Sequence, residues 1–303
     1  AAEMARSAGC DVIVAIGGGS SMDTAKAVSV LLTQPEDIDA YDFFFKNPGD
    51  AADPWRRPYD CKPVICVPTT AGSGSEVTGF YVLTRQDTDT KDTPQIMVFA
   101  AAALLDPKYL KTAPQFVIDT GAMDALSHGI ETSLNVKSNY LNRAVAQIGF
   151  GLFRQVKDHL LSGELTDDDY DVIMLHSCIM GIAFYQAGTL IPHGRGYYLS
   201  HHKGLNHGLA CSITEGEYLR CVDPELVKPI LEACGFDSVD AFADYVRVMT
   251  NRDVHMTVTN AECEAWAADF VKLKHCLARH PGTLTYEDVV GIYKRALAAY
   301  IVD

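Results

Sequence analysis

The sequence predicts a mixed α/β chain of two textures, an α/β half over residues 1–112 followed by an all-helical half over residues 113–303. Two observations carry this. Short β-branched runs alternate with loops up to about residue 112, and beyond Pro114 apolar residues recur at spacings of three and four over long stretches. A third is that two of the strand candidates run straight into loops of glycine and small hydroxyl residues, the arrangement found where an α/β sheet holds a nucleotide.

The elements follow in order. Ala1 to Cys10 reads as the tail of a helix ending at Gly9, with earlier elements expected before it. Strand candidates are Val12–Ile16, Pro63–Val67, Gly79–Thr84 and Ile96–Phe99, and a helix is expected to begin near Met22. In the second half, helical periodicity covers Ala122–Leu134, Leu141–Leu161, Asp169–Ala187, Pro224–Ala233, Val239–Met249 and Glu262–Leu277. The acidic run Asp167 to Asp171 reads as a helix start, since carboxylates favour the positive end of a helix.

Composition narrows the function. The chain has 303 residues, 48% hydrophobic and 21% charged, with a net charge of -14 and scattered Lys and Arg. That balance argues against nucleic acid or an anionic membrane as partner, both of which require basic patches, and leaves small-molecule chemistry. Nine cysteines without a C-x-x-C pair read as reduced core thiols, hence a cytoplasmic protein. No run reaches the ~18 apolar residues of a membrane span.

The first loop lies in Ile13-Val-Ala-Ile-Gly-Gly-Gly-Ser-Ser-Met-Asp-Thr-Ala-Lys-Ala27. A buried strand, three glycines, Ser20 and a helix start would place free backbone N–H groups where a pyrophosphate could sit. It is not the G-x-G-x-x-G fingerprint. The second is Val67-Pro-Thr-Thr-Ala-Gly-Ser-Gly-Ser-Glu-Val-Thr78, with hydroxyl donors for a cofactor. Further on, Asp124 and His128 stand four apart on an expected helix and so share a face, and His193 and His207 would complete a set of one carboxylate and three imidazoles. Such a set suits Fe²⁺ or Zn²⁺ and does not suit Ca²⁺ or Mg²⁺.

With these motifs the chain resembles the iron-containing, or group III, alcohol dehydrogenase family. The resemblance rests on Gly17 to Lys26, Pro68 to Thr78, Leu105-Asp-Pro107, Thr120 to Glu131, Met180 to Phe184, His193 to Gly208 and Leu284 to Tyr293, in the family's order and spacing. It implies a partial Rossmann-like dinucleotide-binding domain over 1–112, incomplete at its N-terminus, and an all-helical metal-binding domain over 113–303. It implies Asp124, His128, His193 and His207 as ligands of Fe²⁺ or Zn²⁺. Gly18, Gly19, Ser20 and Asp23 would hold the pyrophosphate of NAD or NADP, with Thr69, Thr70 and Ser73 beside the nicotinamide half. Lys91 matches a cofactor-contacting lysine or is a solvated lysine in the Asp-rich Gln86–Asp92 turn. Phe184 stands where the family has a wall of the substrate pocket, or is an ordinary helix core residue. The implied reaction is hydride transfer between a small alcohol, or its aldehyde or ketone, and the nicotinamide, in a dimer or larger homo-oligomer.

Some positions depart from the family. Its additional N-terminal strand-helix-strand unit is absent, Tyr197 occupies the place of a second histidine near the reacting atoms, and Asn206 replaces a common proline. His201 and His202 are either stand-ins for that histidine or solvated loop residues. Two other readings stay open, a dehydroquinate synthase-like lyase, for which Arg195 and Lys203 are the nearby basic residues, and a truncated non-catalytic homologue.

Overall fold

Helix α1 (Ala2–Ser7) stops at Gly9, which turns the chain in the left-handed region (φ 66°), and β1 (Ile13–Gly17) follows. The computed structural model describes residues 1–46, 57–58, 60–85, 87, 90–250 and 254–303. Strand β1 hands over to α2 (Gly19–Leu31), and the further strands β2 (Arg57–Pro58), β3 (Val64–Pro68), β4 (Leu83–Arg85), β5 (Thr90–Asp92), β6 (Ile96–Met97) and β7 (Ala102–Ala103) fall into three sheets, β1-β3-β7, β2-β6 and β4-β5. β3 is the central strand of a parallel trio, pairing with β1 from Ile13↔Val64 to Gly17↔Pro68 and with β7 at Ile65↔Ala102. Its side chains are mostly buried, as expected of a parallel strand covered on both faces. Met22, Ala25, Ala27 and Val30 of α2 pack with Ala15, Val64, Cys66 and Tyr81 into a first hydrophobic cluster.

The second half is helical: α3 (Gln115–Leu134), α4 (Tyr140–Ser162), α5 (Asp167–Tyr185), α6 (Ile191–Lys203), α7 (His207–Ser212), α8 (Glu215–Leu219), α9 (Pro224–Cys234), α10 (Val239–Thr250), α11 (Asn260–Phe270), α12 (Lys274–Leu277) and α13 (Tyr286–Ala296). α3 is the axis. Every residue from Ala122 to Leu134 is buried, because α4, α5 and α7 pack around it. The caps explain where its neighbours begin. Asn139 with Asn142 and Thr166 with Asp169 form reciprocal capping boxes that satisfy orphan N–H groups at the starts of α4 and α5. The larger hydrophobic cluster belongs to this half and takes in Ala71 from the loop after β3.

Several expectations need correction. The expected strand Gly79–Thr84 shrinks to Leu83–Arg85, because its earlier backbone groups are already engaged. Lys26 Nζ donates to the carbonyls of Ser75, Thr78 and Phe80 at 2.6–2.8 Å, and Val82 N–H donates to Asp23 Oδ2 at 2.9 Å. The expected Gln86–Asp92 turn includes an antiparallel pairing of β5 with β4, with Gln86, Thr88 and Asp89 outside the described residues. Helix α2 starts three residues earlier than Met22. The single helix expected over Glu262–Leu277 is two, broken between α11 and α12, and the His193–His207 stretch, for which periodicity gave no element, contains α6.

Candidate metal centre and nucleotide loops

The two glycine-hydroxyl loops lie together at the C-terminal ends of β1 and β3. Thr69 N–H donates to Gly17 O at 3.0 Å. A Cβ on Gly18 would lie 3.0 Å from Thr70 Oγ1, and one on Gly19 would lie 2.9 Å from Ser73 Oγ. A larger residue at either position would therefore press on the Thr70 or Ser73 side chain of the neighbouring loop. Gly18 is also the N-cap of α2, so the first N–H groups of that helix open beside Thr70 and Ser73. Asp23 has a different job from the phosphate contact that the resemblance implies. Its Oδ1 accepts from Ser75 Oγ at 2.7 Å and its Oδ2 from Val82 N–H, so this carboxylate ties the second loop to α2, and it has no donor to offer a phosphate. Lys91 is exposed on β5, paired with Thr84.

The second loop reaches the helical half through glycines as well. A Cβ on Gly72 would lie 2.9 Å from Gly121 Cα, and one on Gly74, itself left-handed at φ 61°, would lie 2.6 Å from Gly181 Cα. These contacts bring the loop onto α3 and α5 directly beside the histidines.

Asp124 and His128 are one turn apart on α3 and both are buried. His193 sits in the first turn of α6 after Pro192, and His207 opens α7, whose N-cap Asn206 accepts from Gly208 N–H at 3.0 Å. α7 approaches α3 at Gly208, where a Cβ would lie 2.9 Å from Asp124 Cβ. Asp124 Oδ1 and His193 Nε2 are 3.4 Å apart, too poorly aligned for a hydrogen bond, and both are buried without a hydrogen-bond partner. His128 Nδ1 is likewise unpartnered. Buried polar atoms are nearly always satisfied, so two unpartnered atoms this close, with a third on the adjoining ring, fit a site that holds a cation.

The quartet is only partly one group. Asp124, His193 and His207 each offer a ligand atom within 4.8 Å of the others, and the fourth member of that group is Cys211, not His128. His128 adjoins it, its ring stacked between Phe184 at 4.2 Å and His193 at 4.4 Å. Electrostatics agree with a cation site. Burial alone raises the Asp124 carboxyl, but His128, His193 and His207 together draw it well below the usual carboxylate range. Burial lowers His128 to about 3, against the pull of Asp124. Asp124 and His128 are thus already in the forms that ligate a metal, whereas His193 and His207 are shifted up, so that a cation binding there would displace protons.

Glu131 stands one further turn along the same face of α3. It accepts from His193 Nδ1 and from Leu190 N–H, the latter at 2.5 Å, fixing the ring so that Nε2 faces the site. Sequence reasoning missed Glu131 and Cys211, although spacing would have found both. Glu131 is seven residues after Asp124, and Cys211 is four after His207.

Tyr197 lies one turn beyond His193 with its ring 6.0 Å from that of His207, and desolvation raises its hydroxyl pKa. Phe184 faces His128 from one side and Phe80 from the other at 6.3 Å, forming an aromatic wall continued by Tyr185. His201 and His202 belong to the last turn of α6 rather than to a loop, and His202 stacks on Trp266. The basic residues that a lyase acting on a phosphorylated substrate would need are engaged elsewhere. Arg195 is fully buried with its guanidinium 3.7 Å from the Tyr293 ring centre, and Lys203 is paired with Glu262 at 2.6 Å.

Comparison with known proteins places the chain among iron-containing alcohol dehydrogenases. A family profile described as iron-containing alcohol dehydrogenase matches residues 1–107. The probable alcohol dehydrogenase EutG of Escherichia coli (strain K12) is 30% identical over 96% of this chain and 74% of its own length. An iron-containing alcohol dehydrogenase from Thermotoga maritima has the same fold, with a TM-score of 0.81 and 29% identity over 98% of this chain and 78% of that one. A sulfoacetaldehyde reductase from Bifidobacterium kashiwanohense, solved in complex with NAD⁺, aligns at TM-score 0.81 and 26% identity over 97% of this chain and 78% of that one. With the two glycine-hydroxyl loops set against a buried carboxylate and imidazole cluster, the chain belongs to the iron-containing alcohol dehydrogenase family.

Proposed function

We propose that this oxidoreductase, which interconverts alcohols and aldehydes or ketones, does so on small substrates in the space between its glycine loops and α3, with a divalent metal and a nicotinamide dinucleotide. The observation that supports the reading is the pair of buried, unpartnered atoms Asp124 Oδ1 and His193 Nε2, 3.4 Å apart, in one group with His207 and with the unpartnered Nδ1 of His128 on the adjoining ring. Asp124, His193 and His207 would hold Fe²⁺ or Zn²⁺, with His128 against them. Gly18, Gly19 and Ser20 would receive the pyrophosphate at the N-terminus of α2, with Thr69, Thr70 and Ser73 beside the nicotinamide half. Residues 1–112 then serve as the nucleotide domain and 113–303 as the metal domain.

When bound, the ion supplies Lewis acidity to a substrate oxygen, and the dinucleotide accepts or returns hydride. The protein's part is positional. Glu131 holds the His193 ring in one tautomer and orientation. The Phe184, Phe80 and Tyr185 rings keep water from the face of the site next to His128. The Tyr197 hydroxyl, kept protonated by desolvation, would be a hydrogen-bond donor on the side of the site next to His207. Exposed Lys91 is given no part. The protein is proposed to act in the cytoplasm as a homo-oligomer, on a small alcohol or aldehyde, without nucleic acid or membrane as partner.

The test is metal content by elemental analysis on anaerobically prepared protein, with NAD(P)⁺ reduction followed across short alcohols in the same sample. About one Fe or Zn per chain with turnover is expected, and Asp124→Ala or His207→Ala should bring the metal close to zero. Unchanged metal in either variant sinks the ligand assignment, and metal without turnover sinks the dehydrogenase reading.

A further inference from the structure

Helices α4 and α5 lie antiparallel, joined at three levels. Asn142 Nδ2 donates to Ala183 O at 2.8 Å, His176 Nδ1 meets Gly149 O at 2.9 Å, and His159 Nδ1 meets Asp169 Oδ2 at 2.9 Å. The side of this pair turned away from the core is apolar. Leu141 and Ile148 on α4, and Leu175 and Ile182 on α5, are each seven residues apart, so each pair repeats along one line of its helix, and all four are between 44% and 60% exposed. Val145 and Leu152 continue the line on α4 and Ile179 the line on α5, half-buried and uncharged. With Tyr140, exposed at the start of α4, the face presents on the order of 600 Å² of apolar surface, against about 300–600 Å² for the largest patch of a typical monomer and about 800 Å² per partner in a stable interface.

Gly151 is a second, independent observation. It lies on the same side of α4, and a Cβ there would meet nothing within 4 Å, which among the described helical glycines is true of Gly151 alone. Glycine is the poorest helix former after proline, and nothing within the chain calls for it at this position. A close approach from outside the chain does. The two ends of the face also differ in charge. Asp168 and Asp171 are exposed at the start of α5, where Asp167 is paired with Lys111 at 2.7 Å, and Lys137 and Arg143 are exposed at the opposite end, by the start of α4. A two-fold axis through the middle of the face sets the acidic end of one copy against the basic end of the other.

We propose that a second copy of the chain covers this face, packed antiparallel across α4 and α5 about a two-fold axis near Ile148, with Gly151 letting the two α4 helices approach closely. The proposal names the face for the homo-oligomer given under Proposed function and rests on that reading.

The experiment is sedimentation of the unaltered full chain and of two variants at tens of micromolar, with masses compared with the single-chain 33.0 kDa. The unaltered chain is expected at twice that mass or an even multiple of it. Ile148→Glu should halve the mass by raising the dissociation constant about 100-fold, because two unpaired carboxylates would meet across the axis. Gly151→Leu should halve it through bulk alone. Both positions face outward, so circular dichroism and metal content should match the unaltered chain, which separates lost association from lost folding. An oligomer whose mass is unchanged in both variants overturns the face and leaves the homo-oligomer standing. A single-chain mass for the unaltered protein overturns both and leaves the face to a different partner.

Discussion

Glu131 joins two tasks in one carboxylate, since one oxygen receives the His193 Nδ1 proton and the other closes the N-terminus of α6 at Leu190. A Glu131→Gln change keeps the volume but turns one acceptor into an NH₂ donor, which must then face either the ring N–H or the Leu190 N–H. Affinity for a metal should fall about 10–100-fold, as when other supports of ligating imidazoles are lost. Competition between the protein and a chromophoric chelator for Zn²⁺ measures this directly, and an unchanged dissociation constant would show that His193 is positioned by something else. Beyond it, Glu215 is buried with both oxygens unpartnered, and burial together with the neighbouring Glu131 pushes its carboxyl well above the usual range. A neutral acid there spares the buried centre a second uncompensated charge.

At the scale of elements, the proposed nucleotide site depends on the contact between the loops after β1 and β3. In Gly18→Val the Cβ would already stand 3.0 Å from Thr70 Oγ1, and the γ carbons would wedge the loops apart. Such overpacking costs about 1–3 kcal/mol, so NADH affinity should fall about 10–100-fold while metal content stays constant. Nicotinamide fluorescence titration reads the first and elemental analysis the second; equal NADH affinity in the variant would refute the phosphate role of this loop. The loops, β1, β3 and the long helices α3, α4 and α5 were all legible in the sequence, because each follows the rule of its own period or turn. α6 was not. Its stretch His193-Gly-Arg-Gly-Tyr-Tyr-Leu-Ser-His-His-Lys203 has two glycines, each costing a helix about 1 kcal/mol against alanine, and no apolar stripe. It is helical because Gly194 lets it close on Phe270 and Gly196 on Cys211, contacts from distant segments that no local pattern announces. The loss of most of the Gly79–Thr84 strand has the same origin, in side chains of α2 capturing its backbone.

Across the whole molecule, the two textures of the sequence correspond to two buried clusters, and the division is bridged at Ala71, which lies on a sheet-half loop but packs in the helical core. The helical core also contains a titratable pin. His176 on α5 meets Gly149 O of α4 at 2.9 Å and Ala122 O of α3 at 3.3 Å, and burial lowers it to about 4. Because the folded pKa is below the unfolded value of about 6.5, the unfolded chain takes up a proton first as pH falls. Stability should therefore drop between pH 6.5 and 4, by on the order of 3 kcal/mol from this residue. Urea midpoints for the unaltered protein and for His176→Gln over this range give the measure. The variant should lose that share of the slope, and an identical slope would assign the acid sensitivity elsewhere.

The proposed ligand atoms come from three helices that touch only when the helical half has closed, with Asp124 on α3, His193 on α6 and His207 on α7. An extended chain holds no such site, so whatever free energy the ion releases on binding is added to that of folding. Once free ion exceeds its dissociation constant, each further tenfold adds about 1.4 kcal/mol of stability. Thermal endurance, and with it survival against proteolysis, is in this way linked by mass action to the supply of a single trace element.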